Sequence, residues 1–143
     1  PQIKNNEGLN NLSKICQEAD GIMVDRGDLG AEIGDKKLYR SVTLISEETK
    51  RFGRPLIMAT ENLESMIARE VPSKSDIMSI VHSISIGTDC VMLSEETATA
   101  NNSLQIISWL YDFLKGLQPV EARKINSKSK RKSNDLWKNT RIK

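Results

Sequence analysis

The chain is poor in aromatics, cysteine and histidine. Phe, Trp and Tyr make up 4% of 143 residues, so a core must rest on Ile, Leu, Val and Met. Two cysteines, Cys16 and Cys90, are too few for a disulfide framework. Both sit in apolar segments and are expected as reduced core thiols. The single histidine, His82, and the lack of any Cys/His cluster argue against a zinc site. His82 lies within a helical pattern and is expected as a satisfied surface or core side chain. No apolar run approaches the roughly 18 residues of a membrane-spanning helix, so no membrane partner is expected. No G-x-x-x-x-G-K phosphate loop is present. No secretory signal opens the chain and Pro1 is not an initiator, so a preceding N-terminal stretch is expected.

What is present is a globular composition: 38% hydrophobic and 28% charged. The length suits one domain. The net charge of +2 hides two unlike parts. Residues 1–115 carry 12 Lys and Arg against 17 Asp and Glu. Residues 116–143 carry nine against two. Such asymmetry predicts an appended tail on an acidic domain.

Three apolar runs stand out in the first part: Gly21-Ile22-Met23-Val24, Pro55-Leu56-Ile57-Met58-Ala59 and Cys90-Val91-Met92-Leu93. They are continuous, as in parallel strands covered on both faces. Met23, Met58 and Met92 lie within them and read as core. The runs recur about every 34 residues, the size of a βα unit. Pro1-Gln2-Ile3 reads as the end of an earlier strand. Between the runs lie helical stripes: Leu9, Leu12 and Cys16; Leu38, Val42, Ile45 and Thr49; Ile77, Ile80, Val81 and Ile84; Leu104, Ile107, Leu110 and Leu114. Ser73-Lys74-Ser75-Asp76 reads as a capping box. Gly53 and Gly87 suit the turns from helix back to strand. The fold class is therefore α/β, a β-α-β-α-β-α-β-α chain with parallel strands. Spacing leaves open whether four units form a doubly wound sheet or half of an eight-stranded barrel.

In both architectures ligands bind at the carboxyl ends of the strands. Three of those ends carry polar clusters: Asp25-Arg26-Gly27-Asp28-Leu29-Gly30, Thr60-Glu61-Asn62 and Ser94-Glu95-Glu96-Thr97. Gly27 and Gly30 would let a backbone approach a ligand, and their N–H groups suit an anion. Asp28 is a hard oxygen donor suited to Mg²⁺. Thr60 adds a hydroxyl. The same residue types favour caps and turns, and that role fits Asp28 and Thr60 equally. Glu95 and Glu96 read as solvated loop charges on spacing alone. The Arg26-Gly27-Asp28 tripeptide, in a chain without secretory features, is not expected to act in adhesion.

These clusters carry a resemblance. Asp20-Gly21-Ile22-Met23-Val24-Asp25-Arg26-Gly27-Asp28-Leu29-Gly30 resembles the "DGIMVARGDLG" signature of pyruvate kinase, with Asp25 in place of Ala. Ala59-Thr60 followed by Leu63-Glu64-Ser65-Met66-Ile67 is similar to "ATQMLESMI", and Asp89-Cys90-Val91-Met92-Leu93-Ser94 with Glu96-Thr97-Ala98 to "DCIMLSGETA". The three occur in register over roughly residues 2–115. The resemblance implies the last four units of a (β/α)₈ barrel. It implies transfer of phosphate from phosphoenolpyruvate to ADP in glycolysis, with Mg²⁺ and K⁺, in the cytoplasm or alternatively a plastid. It assigns Asp28 to Mg²⁺, and Gly27, Asp28 and Thr60 to phosphoenolpyruvate. Ser94 and Glu96 become supporting residues.

The first strand departs from the pattern. Where the family reads Lys-Ile-Glu-Asn, this chain has Gln2-Ile3-Lys4-Asn5. Gln2 lacks the charge of the catalytic Lys, and Lys4 places a cation where an anionic Mg²⁺ ligand belongs. Residues two apart on a strand share a side, so both are expected to face the site. Three further departures are Glu61-Asn62 for Gln-Met, Glu95 for Gly and Met78-Ser79 for Ser-Asp. The K⁺ ligands and most nucleotide contacts would lie in the barrel half not contained here. Four units leave two strand edges unpaired, so a partner half or a second copy is expected. The chain alone is expected to be inactive, and a non-catalytic relative is the alternative. The tail, with Lys128-Ser129-Lys130-Arg131-Lys132, is expected to be disordered. A salt-sensitive, weak affinity for nucleic acid is its functional alternative.

Overall fold

A computed structural model describes residues 1–117. The expected tail, residues 116–143, therefore lies almost entirely outside the described residues. Residues Pro1–Leu110 pack as one unit. Four parallel strands, β1 (Gln2–Ile3), β2 (Ile22–Asp25), β3 (Leu56–Ala59) and β4 (Cys90–Val91), form one sheet in the order β1-β2-β3-β4. Between and after them run α1 (Asn6–Asn10), α2 (Leu12–Glu18), α3 (Arg26–Ile33), α4 (Asp35–Arg51), a 3₁₀ turn (Glu64–Ile67), α5 (Lys74–Ser85), α6 (Glu95–Ala98) and α7 (Ser103–Gly116). The chain is thus a run of four βα units with sequential neighbours, as the spacing predicts.

Local chemistry explains the boundaries. The Ser73 hydroxyl and the Asp76 carboxylate reciprocally cap α5, forming the expected box. Lys50 and Arg51 occupy the last turn of α4, where cations suit the helix dipole. Gly53 and Gly87 hold φ +64° and +91°, backbone that other residues reach only with strain. The first helical stretch is broken at Asn11, so Leu9 falls on α1 while Leu12 and Cys16 fall on α2.

The pleat then sorts the strand residues. Ile22, Val24, Leu56 and Met58 are buried against α2 and α4, with Ile3, Leu12, Cys16, Val42 and Ile45. Each such side chain contributes about 1.5–3 kcal/mol through burial. Met23 and Ile57 point to the other face and are only partly buried. This corrects the expectation that the runs are covered on both sides: helices cover one face. Cys90 shares the open face with Ile57 and is exposed, so only Cys16 is a buried thiol. Desolvation by that burial pushes the Cys16 thiol up. Met92 and Met23 are likewise partly buried, and of the three strand-run methionines Met58 alone is fully buried.

The stripe expected on α7 is also corrected. Ile106 and Leu110 are buried, whereas Leu104 is 82% and Ile107 47% exposed. The helix is apolar on more than one side, so periodicity alone cannot choose the packed side. On α5, Ile80 is buried but Ile84 is exposed.

Candidate functional site

The carboxyl end of β2 passes into α3 without a loop. Asp25 is both the last strand residue and the N-cap, its Oδ1 accepting from the Asp28 backbone N–H at 3.0 Å. Capping thus falls to Asp25, not to Asp28. The same carboxylate accepts from Thr60 Oγ1 at 3.2 Å and from Gln2 Nε2 at 2.7 Å. Donors from the ends of β1 and β3 and the start of α3 therefore converge on one side chain. An acidic residue directly before the first helical position is the signal that could have marked it.

Gly27 and Gly30 both lie within α3 and neither has a positive φ. The Gly27 N–H donates to Thr60 Oγ1 at 3.0 Å. The Gly27 N–H, expected to suit an anion, is thus taken by the Thr60 hydroxyl at the end of β3. Asp28 points elsewhere: its carboxylate lies 3.4 Å from Lys4 Nζ, both side chains about half exposed. The pair flanks a shallow depression with Asn5 and Glu32.

The loop after β3 is held in an unusual form. Thr60, Glu61 and Leu63 have φ of +60°, +52° and +59°, in the left-handed region that favours glycine. Two side chains over-determine it. Arg26, 8% exposed, donates to the Thr60 carbonyl, to the Glu61 carbonyl at 3.0 Å, to Asn62 Oδ1 at 2.8 Å and to the Ser79 hydroxyl on α5. Asn62 is fully buried and donates to the carbonyls of Met58 at 3.2 Å and Met92 at 2.9 Å. Burial holds the Arg26 guanidinium below its ordinary range, opposed by the fields of Glu61 and Glu96. Spacing alone points to neither role, because every partner of Arg26 is 34 or more positions away and Asn62 reaches Met92 and Arg26 across 30 and 36 positions.

At the end of β4, Glu96 is 2% exposed and its Oε2 accepts from the Ser94 N–H at 2.7 Å and the Ser94 hydroxyl at 3.3 Å. That overturns the reading of Glu96 as a solvated charge. Glu95 is exposed, as expected. Gly27, Thr60, Ser94 and Glu96 meet in one cleft of about 270 Å³, together with Glu61, Glu64 and Glu95. Asp28 and Lys4 do not line it. Among the described residues the cleft presents four carboxylates and no cationic side chain, a poor field for a phosphorylated acid.

The donor set does not fit Mg²⁺. Asp28 is paired with a cation and Asp25 is committed to three donors. Among the described residues no three His, Cys, Asp or Glu side chains gather as a metal site.

Comparison with known proteins settles the ancestry. The family described as "Pyruvate kinase, barrel domain" matches residues 1–107. The chain belongs to the pyruvate kinase family. It is 42% identical over 108 residues to the pyruvate kinase of Eimeria tenella, covering 76% of this chain and 20% of that protein. It is 39% identical to that of Hypocrea jecorina over 111 residues, 78% and 21% of the two chains. Among solved structures, a Cryptosporidium parvum pyruvate kinase superposes with a TM-score of 0.70 at 39% identity, covering 74% of this chain and 22% of that one. Another, described as in complex with ADP, gives 0.71 at 39% identity, with 74% and 21% covered. The chain thus spans about a fifth of the length of these pyruvate kinase relatives.

Proposed function

We propose that residues 1–115 are the later half of a pyruvate kinase catalytic barrel and that 116–143 are an appended basic tail. The family chemistry is phosphoryl transfer from phosphoenolpyruvate to ADP, giving pyruvate and ATP, with Mg²⁺ and K⁺ in a cytoplasmic glycolytic enzyme. In that reading Gly27, Asp28 and Thr60 belong to the phosphoenolpyruvate end of the site, with Ser94 and Glu96 supporting them. The nucleotide and K⁺ contacts come from a partner half or from a second copy. Phosphoryl transfer depends mainly on positioning and on neutralising charge, so a site short of cations is a weak catalyst.

The observation that carries the reading of this chain is the pairing of Asp25 and Asp28 with groups of the chain itself, beside the cleft. Asp25 takes the donors that an incoming anion would need, and Lys4 neutralises Asp28. The second reading is a non-catalytic relative that keeps the fold. The experiment is pyruvate production coupled to lactate dehydrogenase, with phosphoenolpyruvate, ADP, Mg²⁺ and K⁺. No turnover above background is expected. Turnover that vanishes in Asp28→Ala would overturn inactivity.

A further inference from the structure

The strand-end cleft carries negative charge that the described residues do not answer. Glu61, Glu64, Glu95 and Glu96 line it, and no ion pair among the described residues includes any of the four. Glu96 is the one set inside. It is 2% exposed, and the Ser94 N–H and hydroxyl fix its Oε2. Its Oε1 accepts no hydrogen bond among the described residues. Nor is that oxygen one of the sealed, unpartnered side-chain atoms, which are Arg26 Nε, His82 Nε2 and Thr88 Oγ1. It is therefore open to solvent on a residue that is otherwise buried and lines the cleft. A carboxylate oxygen in such a place is completed best by a positively charged donor. Arg26 is not that donor. It feels the fields of Glu61 and Glu96, but its Nη atoms are bonded to carbonyl, amide and hydroxyl oxygens and it does not line the cleft. Set against four carboxylates, its single charge leaves three unanswered.

We propose that the cleft binds a short aliphatic diammonium ion, one end donating to Glu96 Oε1. The carboxylates share a cleft, yet among the described residues no three gather as a metal site. Their charge is thus spread, which suits two separated positive ends better than one point charge. Ile67, beside Glu64 and Glu61 in the lining, supplies apolar surface for the methylenes between those ends. The volume of about 270 Å³ falls below the roughly 300–1,000 Å³ of drug-sized sites, so the chain between the ends is short. The inference does not rest on phosphoryl transfer and holds equally for a non-catalytic relative.

The test is a titration of the full chain with 1,4-diaminobutane at fixed ionic strength, followed by calorimetry and by the Ser94 backbone N–H resonance. Butylamine and Mg²⁺ are the comparators. The diamine is expected to bind saturably and to shift the resonance, butylamine to bind about tenfold more weakly, and Mg²⁺ to leave the resonance in place. Glu96→Gln keeps an acceptor for Ser94 and removes the charge, and is expected to weaken the diamine about tenfold. Glu64→Gln changes an exposed side chain, so it reads the same cleft should Glu96→Gln fail to fold, and is expected to weaken binding about threefold. Glu47→Gln, exposed on α4 and outside the lining, is expected to leave affinity unchanged. Absence of saturable binding would overturn the proposal. So would butylamine binding as tightly as the diamine, Mg²⁺ moving the Ser94 resonance equally, unchanged affinity in Glu96→Gln or Glu64→Gln, or an equal loss in Glu47→Gln.

Discussion

The two faces of the sheet are built from the same strands yet live in different solvents. Ile22, Val24, Leu56 and Met58 are sealed beneath α2 and α4, while their neighbours Met23 and Ile57 are half-open and Cys90 is exposed. A parallel sheet ordinarily has both faces covered. Apolar side chains on the open face thus register a demand for a cover that the described residues do not meet, whereas those on the sealed face report a core already made.

The sharpest way to break this contrast is a matched pair of truncations. Leu56→Ala is expected to cost about 2–5 kcal/mol, through lost transfer energy and the cavity left behind. Ile57→Ala, one residue on, is expected to cost about 1 kcal/mol. Urea denaturation measures both. Equal costs would show that the open face is covered in solution, and a dilution-dependent melting temperature would then identify a second copy as the cover.

A smaller effect separates the strand ends from the sheet. Asp25→Ala removes the α3 cap and two further accepted hydrogen bonds, and is expected to cost about 0.5–2 kcal/mol by the same denaturation measurement. No loss would mean that another group, such as water, serves the Asp28 N–H equally well.

The smallest effect concerns pH at the base of β4. The Lys50 ammonium and the Leu56 N–H hold the Asp89 carboxyl below its ordinary value of 3.8. A lowered folded-state value means a contribution present above about 3.8 that is lost as pH falls through the folded value. Asp89→Asn is expected to flatten this acid limb slightly, read as the change in melting temperature between pH 5 and 2.5. An unchanged slope would show the carboxylate to be immaterial.

Much of the frame could be read from residues alone. Short apolar runs at even spacing gave the strands, and Ser73 with Asp76 gave the start of α5. These are local signals, each complete within about ten residues. Which face of a strand or helix is covered is not local: Cys90 and Met23 look as buried as Met58 until the neighbouring elements are placed. Leu104 and Ile107 make as good a stripe as Ile106 and Leu110 for the same reason. The site divides likewise. Gly27, Thr60, Ser94 and Glu96 sit at strand ends, which converge in any such fold, and they line one cleft; Gln2 and Lys4 turn toward Asp25 and Asp28 beside it. The grip of Arg26 and Asn62 on the loop after β3 joins positions far apart in the chain, and no spacing rule reports it.

Asn62 has one more consequence. Its single amide spans the carbonyls of Met58 and Met92 while its oxygen meets Arg26, so every polar atom of the side chain is spent on setting the gap between two adjacent strand tips. That gauge needs nothing from the remainder of a barrel. Whatever assembly receives these four units, the width between the β3 and β4 tips arrives already measured.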